Sequence, residues 1–145
     1  MPRFMKMLNN ISRSQAIYRH QRISASDIQP GQYAFVLSIC RRPGRSQEEL
    51  ARELCINKST AARTLASLEE KGYILREPLP SDRRQFAVMP TERMLALVPE
   101  VEAASESWMA ALSEGISDDE MEIFSSVLLR MQDKARALLE ANEIK

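Results

Sequence analysis

SQEELARELCINKSTAARTLASLEEKGYILREPLPSDRRQFAVMPT, residues 46–91, is the stretch whose reading decides the fold. Ser46 is followed three residues later by Glu49. That is the spacing of a capping box, in which each side chain satisfies a backbone N–H of the other. Leu50, Ala51 and Leu54 then share one face of a first helix. A break at Cys55 and Ile56 follows, and Asn57 caps a second helix whose buried stripe is Ala61, Leu65 and Leu68. The opposite face of that helix is polar and basic, with Lys58, Ser59, Thr60, Arg63, Thr64 and Ser67. Gly72 ends it where a left-handed residue must follow. The apolar period then becomes two, so residues 73–77 and 85–89 read as strands. The loop 78–84 between them holds two prolines and the run Ser81-Asp82-Arg83-Arg84, and cannot be helical. Two helices joined by a tight turn, then a hairpin with a basic tip, make a winged helix-turn-helix.

The same residues resemble the MarR family (multiple antibiotic resistance regulators). That family shows a helix ending in Leu-Glu-x-x-Gly, an Arg on the first strand, a wing with Asp-x-Arg, and a Thr that starts the next helix. The matching positions are Leu68, Glu69, Gly72, Arg76, Asp82, Arg84 and Thr91. Upstream, IQPGQYAFVLSI from Ile28 is similar to the family's helix start, with Gln29 in place of the usual Thr. The resemblance covers roughly residues 28–94 with specific motifs, and the outer helices by length and pattern only. Pro90 and Met94 also depart from the pattern.

The expected fold class is mostly α with a small β-hairpin wing. Residues 1–27 read as an N-terminal dimerisation helix, 28–90 as the winged helix-turn-helix core, and 91–145 as long C-terminal helices for dimerisation. In the first helix Phe4, Leu8, Ile11 and Tyr18 lie near one face. Pro30 suits the first turn of the next helix, whose Tyr33, Phe35, Val36, Leu37 and Ile39 mark it as central. Gly44 supplies a turn before Ser46. After the wing, Thr91 caps a long helix with Leu95, Val98, Val101, Ala104, Trp108 and Leu112, and Pro99 predicts either a kink or a break with a fresh start. Gly115 stops it. Ser117 and Glu120 form a second capping box before a last helix striped by Met121, Phe124, Leu128, Met131, Ala135 and Leu138.

Composition narrows the function. Net charge is zero, but residues 1–40 carry +4, residues 41–91 carry +3 and residues 92–145 carry −7. A duplex attracts the first two segments and repels the third. Glycine-rich phosphate loops, nucleophile elbows and metal-ligand pairs are lacking, so no enzyme, cofactor or metal is expected. One His and two scattered Cys are too few for a metal site. Cys40 and Cys55 fit no Cys-x-x-Cys pattern and read as small buried hydrophobes. No run approaches the ~18 apolar residues of a membrane span, and the N-terminus lacks a signal peptide's apolar block, so a cytoplasmic protein is expected.

The partner read from these patterns is double-stranded DNA. Asn57, Lys58, Ser59, Thr60, Arg63 and Thr64 form the face that enters the major groove, with Arg63 able to pair bidentately with guanine. Arg76 and Arg83 are candidate phosphate contacts, and Ser46 and Gln47 could offer backbone N–H groups to a phosphate. The resemblance implies that Arg84 enters the minor groove and that Asp82 orients the wing by pairing with an arginine. Outer helices of ~20–24 residues are ~30–36 Å long, more apolar surface than a core of this size covers. Pairing with a second copy is the simplest cover, and it implies a near-palindromic operator with half-sites ~34 Å apart. The resemblance further implies repression relieved by a small phenolic or aromatic effector, with Tyr18, Arg19, His20, Tyr33 and Trp108 as candidate contacts. Two alternatives stay open: a winged helix that binds protein, and a cysteine-based redox sensor of the same family.

Overall fold

The computed structural model describes residues 2–25 and 27–143, and the chain divides into two compact units, 1–108 and 109–145. The first unit begins with α1 (Pro2–Arg22). A single 3₁₀ turn (Pro30–Gln32) leads into α2 (Tyr33–Arg41). Pro30 opens that turn, and the Gln32 side chain reaches back to accept the Gln29 backbone N–H at 2.9 Å, the N3-to-N-cap half of a capping box. Gly44, at φ 91°, turns the chain into β1 (Arg45–Ser46), α3 (Gln47–Glu53) and α4 (Lys58–Glu70). The wing follows as β2 (Ile74–Pro78) and β3 (Phe86–Pro90), then α5 (Glu92–Leu95) and α6 (Val98–Leu112).

The caps read from sequence take their places, with one exception in detail. Ser46 Oγ accepts the Glu49 N–H at 3.2 Å, the first half of the anticipated box. Asn57 Oδ1 accepts the Thr60 N–H at 2.8 Å and starts α4. Gly72, at φ 81°, follows its last residues. Cys55 departs from expectation. It is exposed and sits at φ 53° in the turn between α3 and α4, a backbone state that L residues adopt at a cost. Cys40 is half-buried against the core, and burial raises its thiol pKa.

The sheet has three antiparallel strands in the order β1-β3-β2. Arg45 pairs with Val88 and Ser46 with Ala87, while β2 and β3 run from Ile74↔Pro90 to Pro78↔Phe86. β1 is only two residues long, too short to leave a period in the sequence. It exists because Gly44 brings the chain alongside β3, donating its N–H to Val88 O at 2.9 Å. Beneath the sheet lies one apolar cluster containing Tyr33, Phe35, Val36, Ile39, Leu50, Ala61, Leu65, Leu68, Tyr73 and Ile74. The stripes of α2, α3 and α4 all point into it, and this holds α4 with its polar face outward.

Pro99 produces the fresh start rather than the kink. α5 ends at Leu95, and Pro99 is the second residue of α6, where its missing N–H leaves no backbone bond unmade. The interruption puts Leu95 out of phase with the expected stripe: it is exposed, whereas Val101 and Ala104 are buried. The second unit holds the end of α6, a turn at Gly115 with φ 79°, and α7 (Asp118–Glu143). Ser117 and Glu120 form the full reciprocal box, with Ser117 N–H to Glu120 Oε2 at 2.9 Å and Glu120 N–H to Ser117 Oγ at 3.2 Å. Along α7, Ile123, Phe124, Val127, Leu129, Met131, Leu138 and Leu139 are exposed. Among the described residues no helix is long and apolar enough to cross a membrane.

Candidate nucleic-acid interface

The candidate interface lies on the first turns of α4 and on the wing. Asn57, Lys58, Ser59 and Arg63 are exposed, and Thr60 and Thr64 half-exposed, on the face opposite the buried stripe. Several of these side chains are already oriented by their neighbours. Ser59 Oγ donates to Asn57 Oδ1 at 2.9 Å, and Arg63 Nη2 reaches Thr60 Oγ1 at 3.4 Å. Lys58 lies 3.3 Å from Glu48, a pair exposed enough to exchange for another anion at little cost.

The wing is closed by backbone and by one carboxylate. Leu79 N–H donates to Gln85 O at 2.9 Å, and Gln85 N–H to Asp82 O at 3.0 Å. Asp82 Oδ1 accepts the backbone N–H of Arg84 at 3.0 Å. Among the described contacts Asp82 therefore shapes the tip through the main chain, where the resemblance had implied an arginine side chain. Arg83 and Arg84 project into solvent. Arg76 lies at the base of the wing, 25% exposed, with Nε 3.5 Å from Glu69.

A cleft of about 300 Å³ gathers part of this set: Ser46, Gln47, Lys58, Arg76 and Arg84 line it together with Glu48, Ala51, Gln85, Phe86 and Val88. Asn57, Ser59, Thr60, Arg63, Thr64 and Arg83 lie outside it. Ser46 is buried and its hydroxyl is committed to the α3 cap, so it reaches the cleft as a structural residue.

Two polar ties hold the reading elements, and neither was anticipated. Arg45, only 7% exposed, donates through Nη2 to Ser38 Oγ at 2.7 Å, through Nε to Arg42 O at 3.2 Å, and forms an ion pair with Glu53. It pins the end of α2 to α3, and burial lowers its pKa. The second tie centres on Asp27. Tyr73 donates its hydroxyl to Asp27 Oδ1 at 2.6 Å, and Arg93 donates to Oδ2 at 2.8 Å. Lys71 Nζ donates to the Asp27 carbonyl, and Arg93 also donates to the Lys71 carbonyl. The Arg93 guanidinium lies 4.3 Å from the centre of the Tyr73 ring. This knot joins the α1–α2 loop, the end of α4 and the start of α5. The Tyr73 hydrogen bond, with Arg93 adding to it, holds the Asp27 pKa below its ordinary value. Burial and the carboxylate beside it push Tyr73 up to about 12. In the sequence Asp27 closed the segment read as the N-terminal helix and Tyr73 opened a strand, with nothing to join them.

The effector candidates fall in one region. Tyr18 and Trp108 pack with ring centroids 5.1 Å apart and planes tilted by 52°, Arg22 lies 3.4 Å over the Tyr18 ring, and Tyr18 Oη is 3.0 Å from Ser107 Oγ. His20 Nδ1 lies 3.1 Å from the hydroxyl of Tyr33, which is fully buried. Arg19 is half-buried, its pKa lowered by desolvation, and its Nε has no hydrogen-bond partner among the described residues.

Residues 28–86 match the model of the MarR family. A solved structure of MarR is 31% identical, over 94% of this chain and 92% of that one, with a TM-score of 0.79. The chain belongs to the MarR family. A MarR transcriptional regulator from Methanosarcina mazei Go1 is 28% identical over 94% of this chain and 99% of that one, with a TM-score of 0.82. A MarR-family regulator from Listeria monocytogenes, solved in complex with 26mer DNA, is 22% identical over 92% and 89%, with a TM-score of 0.85.

Proposed function

We propose that this MarR-family chain is a transcriptional repressor that acts in the cytoplasm, grips a near-palindromic double-stranded operator as a homodimer, and is released by a small aromatic or phenolic anion. One observation carries the reading. The exposed basic face of α4 and the solvent-facing Arg83 and Arg84 of the wing stand on either side of a cleft lined by Lys58, Arg76 and Arg84. An α-helix fits the major groove and a narrow basic finger the minor groove, so one duplex can engage both at once. Asn57, Ser59, Thr60, Arg63 and Thr64 face base edges; Lys58, Arg76, Arg83 and the Gln47 backbone meet phosphates; Arg84 enters the minor groove. The Listeria monocytogenes relative, solved with DNA, supports this reading.

Exposed apolar side chains support the dimer: Met5, Met7, Ile11 and Ile17 on α1, and the apolar positions of α7. The effector reading is supported by the Arg19 nitrogen that lacks a partner among the described residues, by the Tyr18–Trp108 pair and by the His20–Tyr33 contact. The test is selection of bound fragments from random and genomic duplexes, with and without phenolic acids. It should enrich an inverted repeat that phenolic acid depletes. An unenriched pool would refute the DNA reading; enrichment of single half-sites would refute the dimer; insensitivity to phenolic acids would refute the effector. Arg84→Ala should weaken operator binding by ~1–3 kcal/mol at fixed salt.

A further inference from the structure

The cleft beside the wing contains an aromatic ring for which the fold has no use. Phe86 begins β3 opposite Pro78 and is 46% exposed. Side chains alternate across a strand, so Phe86 shares a face with Val88 and with Arg76, the cross-strand neighbour of Val88. Val88 is buried in the core, and Phe86 extends the same face outward as the apolar part of the cleft wall. Around it stand the cations Lys58, Arg76 and Arg84, opposed within the cleft by Glu48 alone. Lys58 and Arg76 are held by Glu48 and Glu69 at 3.3 and 3.5 Å, while Arg84 has no ion pair among the described residues.

A ring flanked by exchangeable cations matches the chemistry of a nucleic-acid backbone, in which anionic phosphates alternate with the apolar faces of sugars. We propose that Phe86 is a DNA contact: its ring covers a deoxyribose on the wall of the groove that Arg84 enters, between phosphates taken by Lys58 and Arg76. The proposal rests on the DNA reading above and deepens it. Binding here exchanges the exposed Lys58–Glu48 pair and the partly buried Arg76–Glu69 pair for phosphate contacts and removes the ring from water. Because every nucleotide carries the same sugar, the contact adds affinity without sequence preference. Because the ring is neutral, it releases no counterions.

The experiment measures fluorescence anisotropy of the full-length protein on the selected operator and on a random duplex across a salt series. Phe86→Ala should weaken both duplexes by roughly 5–20-fold, the scale of losing one covered aromatic face. Phe86→Leu should fall between it and the wild type. The slope of log affinity against log salt should stay at the wild-type value for Phe86→Ala and lose about 1 for Arg84→Ala. Affinity within twofold of wild type, a loss confined to particular sequences, or a changed salt slope for Phe86→Ala would each overturn the assignment. Phe86→Trp supplies a readout independent of fold loss: its added emission should shift on mixing with duplex, and an unmoved spectrum also overturns it. Failure of the DNA reading would appear earlier and separately, as a wild-type protein that binds no duplex.

Discussion

Removing the Tyr73 hydroxyl tests whether the Asp27 knot holds the end of α4. The bond is short, 2.6 Å, its acceptor is ionised, and the Tyr73 ring is 1% exposed. Hydrogen bonds to charged groups contribute about 1.5–3 kcal/mol when well shielded. The Asp27 side chain is 35% exposed and shares its charge with Arg93, so solvent screening moves the expectation just below that range. A double-mutant cycle of Tyr73→Phe and Asp27→Asn should give a coupling of about 1 kcal/mol in urea unfolding at pH 7. The sign with pH follows from the depressed carboxyl. The Asp27 pKa lies below its ordinary 3.8 in the folded protein, so its contribution is complete above about pH 4. It declines as the pH falls from that ordinary value through the lower folded one. Tyr73, pushed up to about 12, stays protonated throughout and keeps donating. Additive single mutants at pH 7 would refute the knot, and so would a coupling that grows towards pH 3.

Two further outcomes test local devices. Cys55→Gly should raise stability by about 1 kcal/mol, because glycine adopts φ 53° freely, and Cys55→Val should lower it; thermal melts read both, and a Gly variant that melts lower counts against the strain. Ser117→Ala should cost about 1 kcal/mol by removing the hydroxyl that accepts the Glu120 N–H, and amide exchange should speed up across the first turn of α7. Unchanged exchange at residues 118–121 would mean that the box does not hold that end.

What was legible in the sequence is what repeats or what caps. The α4 stripe of Ala61, Leu65 and Leu68 is fully buried because three residues at helical spacing leave only one way to orient the rod, and that choice sets which face meets a partner. Asn57, Gly72 and Ser117 announced helix ends because each solves a local backbone problem within four residues of itself. The ties between distant segments left no such mark. Arg45 carried no signal in the sequence beside the Gly44 turn, yet it is the buried hub between α2 and α3, since its partners Ser38 and Glu53 lie in other elements. Asp27 and Tyr73 are 46 residues apart, and nothing in either neighbourhood distinguishes a loop aspartate in water from one that receives a tyrosine.

The same distinction explains the interface. Basic residues on α4 and on the wing could be named from type and position, but their present partners could not. The Lys58–Glu48 and Arg76–Glu69 pairs emerge only once α3, α4 and β2 are brought together. On the proposed DNA reading those pairs matter, because a phosphate must compete with a carboxylate already in place. The gain from two of the three cleft cations is then a difference between two ion pairs, and smaller than their charge suggests. Arg84, which has no such competitor among the described residues, keeps its full electrostatic gain, and Phe86 keeps its full apolar one. Affinity at this cleft should therefore depend on one guanidinium and one neutral ring more than on the total of positive charge.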